Sequence, residues 1–142
     1  MSGDPRRLLA VDYGSKRIGL AISDPEGLLA VPLETFARTD DRGAARTIAR
    51  VAAREGVGGL VVGEPRRLDG GRGEAALRAA RFARRLEAAT GLPVELVDES
   101  LTSVEAERRL REAGVDAAAA SGRVDAVAAQ ILLEEVLARR HR

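Results

Sequence analysis

Three acidic positions could do chemistry together: Asp12 in LLAVDYGSKRIGLAIS, the pair Asp98-Glu99 in VDESLTSVEAE, and Asp125 in GRVDAVAA. Asp12 closes an apolar run. In an extended strand Leu9, Val11 and Tyr13 share one face and Leu8, Ala10, Asp12 and Gly14 the other, so this carboxylate sits among small or apolar neighbours. It is costly there unless a cation or a hydrogen-bond donor answers it. The chain has no cysteine and a single histidine, His141, which reads as part of the terminal tail. Carboxylates without histidine or thiolate suit a hard, oxygen-seeking ion, Mg²⁺ or Mn²⁺, whose shell is completed by water and phosphate. Two such ions about 3.5–4 Å apart can activate a water and stabilise the leaving oxygen of a phosphodiester. The chemistry this set suits is hydrolysis of nucleic acid. From spacing alone, other roles stay open. Most of the 22 acids are solvated, Asp98 could cap the turn that follows it, and Asp125 could simply favour a helix N-terminus.

Phosphate contacts are expected from Lys16 and Arg17 in the turn after Asp12, from Arg66, Arg67 and Arg72 in the glycine-rich loop between Gly63 and Gly73, and from Arg123 just before Asp125. For Arg66 and Arg67 a solvated loop pair is an equal reading. Lys16 is the only lysine. The other bases are arginine, which suits bidentate phosphate contact, although a codon or thermal bias produces the same composition. Net charge is only +1, so nucleic-acid binding must rest on a local patch and not on a global field. Aromatic residues make up 2% of the chain, which argues against a base-stacking platform. Gly14-Ser15-Lys16-Arg17 lacks the upstream glycine spacing of a Walker loop. Without cysteine there is no disulfide framework, thiolate metal site or cysteine nucleophile. The start MSGDPRR has no signal-peptide pattern and no apolar run approaches a membrane span. A cytoplasmic protein without membrane association is the expectation.

The elements that must position these residues follow from periodicity. At 142 residues the chain fits a single domain, residues 1–142, with a core of its own. Two strands flank the Gly14–Arg17 turn; the second alternates Ile18, Leu20 and Ile22 with Gly19 and Ala21, leaving a shallow face where a ligand could approach. Asp24-Pro25-Glu26-Gly27 suits a type I turn into a third strand near Leu28 to Phe36, and Pro32 sends that strand to the sheet edge. Helical spacing of Ala45, Ile48, Val51 and Ala52 predicts a helix from Asp41 to Glu55, stopped by Gly56. GLVVG, Gly59 to Gly63, reads as a buried parallel strand. A second helix from Gly73 to Thr90 carries Leu77, Ala80, Ala83 and Leu86 on one side and ends at Gly91; Val94 to Asp98 is the fifth strand. A capping-box pattern starts a third helix at Thr102, running to Ala113 with Gly114 past its end. Val115 to Gly122 reads as a mobile connection. A last helix, Arg123 to Arg140, sets Asp125, Ala128, Ala129, Leu132 and Val136 on a common face.

Right-handed crossovers then give a mixed five-stranded sheet, order 3-2-1-4-5, with helices on both faces. Sites in open α/β sheets form beyond the carboxyl ends of parallel strands. Asp12, Asp98-Glu99 and Asp125 could converge there.

LLAVDYGSKRIGLAIS, VVGEP followed by LDG, VDESLTSVEAE and GRVDAVAA, in this order over nearly the whole chain, resemble the YqgF/RuvX family. Its members are described as Holliday-junction resolvases and as pre-16S rRNA nucleases. The resemblance implies an RNase H-like fold, with Asp12, Glu99 and Asp125 as catalytic metal ligands for Mg²⁺ or Mn²⁺. It implies a metal-dependent nuclease of structured RNA or branched DNA, with ribosomal RNA precursor processing ahead of junction resolution. A non-catalytic, magnesium-dependent nucleic-acid-binding module is the rival. Symmetric junction cleavage would call for a homodimer, at most a weak one here, since no dimer face is visible in the sequence. Two residues depart from the family pattern, Ser100 where arginine is usual and Glu64 where an apolar residue is usual. Both alter charge beside the proposed site without removing a proposed ligand.

Overall fold

The computed structural model describes residues 3–65, 73–99, 102–115 and 123–141. Its elements are β1 (Asp4–Tyr13), β2 (Arg17–Ser23), β3 (Ala30–Ala37), α1 (Asp41–Glu55), β4 (Val57–Glu64), α2 (Glu74–Thr90), β5 (Val94–Asp98), α3 (Thr102–Glu112) and α4 (Val124–Arg140). The strands form one five-stranded sheet in the order β3-β2-β1-β4-β5, as the periodicity requires. β1 pairs antiparallel with β2 and parallel with β4. β2 pairs antiparallel with β3, and β4 parallel with β5. The sheet is therefore mixed, with β1 at its centre.

Alternation along β1 sorts its side chains into two layers. Leu9 and Val11 join Ile18, Leu20, Leu60 and Val62 beneath α1 and α2, where Ile48, Val51, Phe82 and Leu86 close the core. Leu8 and Ala10 join Ala21, Val61 and Val97 beneath α4, against Ala129, Leu132, Leu133, Val136 and Leu137. α3 does not reach the sheet core; Ala106 and Leu110 pack on Val127 and Ala128 of α4. α4 thus buries residues toward two neighbours, a wider apolar surface than the single stripe read from its sequence. α1 follows its capping signals: Asp40 Oδ1 accepts from Gly43 N at 2.6 Å, and Gly56 ends the helix at φ 67°.

Several boundaries and faces differ from the sequence reading. β1 and β4 begin earlier than expected, at Asp4 and Val57. β3 starts at Ala30 and not Leu28, because the Asp24 carboxylate captures the amides of Leu28 at 2.7 Å and Leu29 at 2.8 Å. Edge placement of Pro32 holds, with a register shift opposite it between Leu20 and Ala21. On α2, Leu77 is exposed; Ala76, Ala79 and Phe82 face the core with Ala80, Ala83 and Leu86. The shallow face of β2 is filled by α4 and is not open to a ligand: a Cβ on Gly19 would lie 2.2 Å from the carbonyl oxygen of Asp125. His141 is more than tail, since its Nε2 sits 2.9 Å from the carbonyl oxygen of Gly27. Most of the connection expected to be mobile, residues 116–122, lies outside the described residues.

The α2 assignment is checked by equilibrium denaturation. Phe82→Ala should cost about 3–5 kcal/mol of stability, and Leu77→Ala no more than about 0.5 kcal/mol.

Candidate active site

At the end of β1 the apolar alternation delivers Asp12 to the α4 face, 6% exposed. Its position in the sheet is unusual in having glycine on both sides. Gly19 on β2 is its register partner, and on β4 Gly63 follows Val62, the partner of Val11. Neither glycine is required by its backbone angles; both are required by space. A Cβ on Gly63 would stand 1.9 Å from Glu99 Oε2, so the absent side chain leaves room for that carboxyl. A Cβ on Gly19 would meet the backbone of Asp125, so its absence lets the first turn of α4 descend onto the sheet. One glycine admits each of the other two acids.

Glu99 follows β5 directly and is held there by its own amide, which donates to the carbonyl of Glu64 at 3.0 Å. Asp125 stands in the first turn of α4, where the unpaired amides favour an acid. Both carboxyls come within hydrogen-bonding reach of Asp12. Two carboxyls in such contact need a proton between them. Burial, and then the hydrogen bond and negative charge of Glu99 with a smaller contribution from Asp125, push the Asp12 carboxyl up to about 10. Among the described residues no group of three or more His, Cys, Asp or Glu side chains is already arranged so that it could hold a metal ion. The three acids are joined pairwise through Asp12, so a cation shared among them would have to displace the Asp12 proton. The three acids are oxygen-only, anionic donors, the chemistry that a hard divalent cation takes, and they meet in space left by two glycines.

The cations are distributed unevenly. Arg17 Nε donates to Asp125 Oδ2 at 3.0 Å, so the guanidinium is tied to the cluster while its side chain stays about half exposed. Lys16, beside it, is exposed. Arg123 is exposed immediately before α4 and makes no side-chain cap. Arg66, Arg67 and Arg72 lie outside the described residues, as does Ser100. Glu64 is buried at 4% exposure, its backbone carrying Glu99 as described.

A further group, not anticipated from the sequence, fixes the hairpin turn. Arg38 donates to the carbonyls of its surroundings through two routes: its backbone amide to Lys16 O at 2.9 Å and its Nη2 to Ser15 O at 2.8 Å. Its Nη1 is anchored in turn by Asp41 Oδ1 at 2.9 Å and Tyr13 Oη at 3.1 Å. The Tyr13 hydroxyl donates to Asp41 at 2.7 Å, and its ring stacks on Phe82 with centroids 4.4 Å apart. Burial and the bond to Asp41 push the phenol up to about 12, so it remains a donor. The available signal was scarcity: the chain has one tyrosine and two phenylalanines, and two of these three rings meet here.

The model of the family described as "RuvX: Holliday junction resolvase" matches residues 6–139. The chain belongs to the RuvX family. Among curated relatives it is 47% identical over 134 residues to a protein of Anaeromyxobacter dehalogenans named "Putative pre-16S rRNA nuclease", covering 94% of this chain and 98% of that one. A protein of the same name from Syntrophus aciditrophicus is 44% identical over 131 residues, 92% of this chain and 87% of the relative. Among solved structures, Thermus thermophilus RuvC aligns with a TM-score of 0.58 at 17% identity, over 95% of this chain and 96% of that one. Fowlpox virus resolvase, solved with Holliday junction DNA, aligns with a TM-score of 0.59 at 12% identity, over 96% and 99%. At such identities the likeness is one of fold. The fold of this RuvX-family chain is RNase H-like.

Two expectations follow from the site geometry. Gly63→Ala pushes the whole Glu99 side chain off Asp12 and Gly19→Ala meets the Asp125 backbone, so each should cost about 1–3 kcal/mol or more by chemical denaturation. The second concerns pH. A carboxyl raised in the folded state stabilises the fold fully below its free value near 4 and loses that contribution as pH rises toward about 10. Asp12→Asn, neutral throughout, should therefore gain in melting temperature over the metal-free parent, by a margin that widens from about pH 5 to about pH 9.

Proposed function

We propose that this RuvX-family chain is a divalent-metal-dependent nuclease that acts in the cytoplasm on structured RNA, in the processing of the 5′ end of pre-16S ribosomal RNA. The observation that carries the proposal is the meeting of Asp12, Glu99 and Asp125 at the carboxyl end of the sheet, through gaps left by Gly19 and Gly63. The substrate is taken from the names of relatives that are 44% and 47% identical over nearly the whole chain.

Mg²⁺ or Mn²⁺ at this cluster would supply an activated water and charge compensation for the phosphodiester. Asp12, Glu99 and Asp125 would hold it, Asp12 after losing the proton it shares with its neighbours. β1 fixes Asp12 in the middle of the sheet, β5 and α4 bring the other two, and the buried side of the cluster keeps bulk water away from their oxygens. Lys16, Arg17, Arg123 and the arginines of the 66–72 loop would hold the phosphate backbone. None of these is a base-reading element, so recognition by shape and backbone is expected.

The test is cleavage by the purified protein in Mn²⁺ of a structured RNA spanning the 16S precursor 5′ end, beside a four-way DNA junction and beside Asp12→Asn. The RNA should be cut, and the variant should be slower by at least about a hundred-fold. Equal rates for both proteins would sink the catalytic assignment. Cleavage confined to the junction would move the substrate to branched DNA, and binding of RNA with no cleavage by either protein would make the chain a docking module.

A further inference from the structure

Arg17 carries more than a phosphate contact would need. It opens β2, where it is paired with Ala37 of β3, and its carbonyl accepts the Gly14 amide at 3.0 Å, closing the hairpin turn. The residues before it are clamped by Arg38, through Lys16 O at 2.9 Å and Ser15 O at 2.8 Å. Its root is therefore fixed, while its side chain remains about half exposed (48%) and reaches Asp125, whose side chain is 18% exposed, at 3.0 Å. This guanidinium places a positive charge against one of three convergent acids. Lys16 lies on the same turn, exposed and in no ion pair with a described residue.

A divalent cation held by the cluster would need the same Asp125 oxygens and would place two positive charges beside the guanidinium. Competition for the acceptor and like-charge repulsion both act against the Arg17–Asp125 pair. A half-exposed ion pair is weak, so Arg17 is the group that can leave, and its fixed root keeps it beside the place where a phosphate would approach the ion.

Building on the metal site proposed above, we propose that Arg17 is an exchangeable counter-ion. It holds Asp125 in the metal-free protein, competes with the cation for that carboxylate, and turns to the nucleic-acid phosphate once the cation is bound. Cation and nucleic acid then support each other's binding, because each favours the state in which Arg17 has left Asp125.

Isothermal titration with Mn²⁺ alone, on the full chain without nucleic acid, tests this. Arg17→Gln should bind Mn²⁺ roughly three- to ten-fold more tightly than the parent. Lys16→Gln, which removes the same charge from the same turn, should stay within about two-fold because it does not touch Asp125. Arg17→Lys should fall close to the parent. In EDTA, affinity for a stem-loop RNA should be unchanged by Arg17→Gln and reduced by Lys16→Gln, a pattern a simple phosphate-contact arginine would not give. Unchanged or weaker Mn²⁺ binding by Arg17→Gln overturns the inference alone. Absence of Mn²⁺ binding by the parent overturns the metal site and this inference with it.

Discussion

A carboxyl buried in the middle of a sheet, with glycine on either side, is the constraint on which the rest of this structure depends. Asp12 belongs to the central strand, paired with Gly19 of β2 and next to Val11, which pairs with Val62 of β4, so it cannot retreat to solvent without disturbing the sheet. Its burial is tolerable because two further carboxyls come close enough to share a proton with it. They come close because the sheet surface beside Asp12 has no side chains at Gly19 and Gly63. The outcome is a buried acidic cluster in which Asp12 keeps its proton.

The two helical layers divide the work unequally. α1 and α2 pack on the sheet with alanine, isoleucine, valine, leucine and Phe82, and their layer ends in the Tyr13–Phe82 stack that steadies the hairpin turn through Arg38 and Asp41. α4 serves both core and site. Its first turn presses Asp125 onto Gly19 while the following turns supply Ala129, Leu132, Leu133, Val136 and Leu137 to the second core. Packing of that apolar surface fixes the depth at which Asp125 sits, so core substitutions under α4 act on the site as well as on stability. α3 packs on α4 through Ala106 and Leu110 and braces that helix from outside.

How much of this was legible in the sequence depends on the range of the interactions involved. Strand order, the edge position of Pro32, the ends of α1 at Asp41 and Gly56, and the split of β1 into two faces all follow from local patterns, and the structure agrees with them. Leu77 was assigned to the core face of α2 because an apolar residue at helical spacing looks the same whether or not a neighbour covers it; Phe82 supplies the packing instead. Leu28 and Leu29 have the character of strand residues, but the Asp24 carboxylate takes their amides before a strand can. The open face of β2 looked like room for a ligand, since nothing in the pattern of Gly19 and Ala21 tells a helix from a substrate.

By itself the sequence determined the strand and helix layout, the central strand and the placing of acids at the ends of elements. Those depend on residue type and on periodicities of two and 3.6, which a single segment displays. Only the tertiary structure decided that Gly63 makes room for Glu99 and Gly19 for Asp125, and that Asp12 carries a raised carboxyl between them. It also decided that Arg17 binds Asp125 while Lys16 beside it does not. These are contacts between residues as far apart as Arg17 and Asp125, and no local pattern encodes a distance across a sheet.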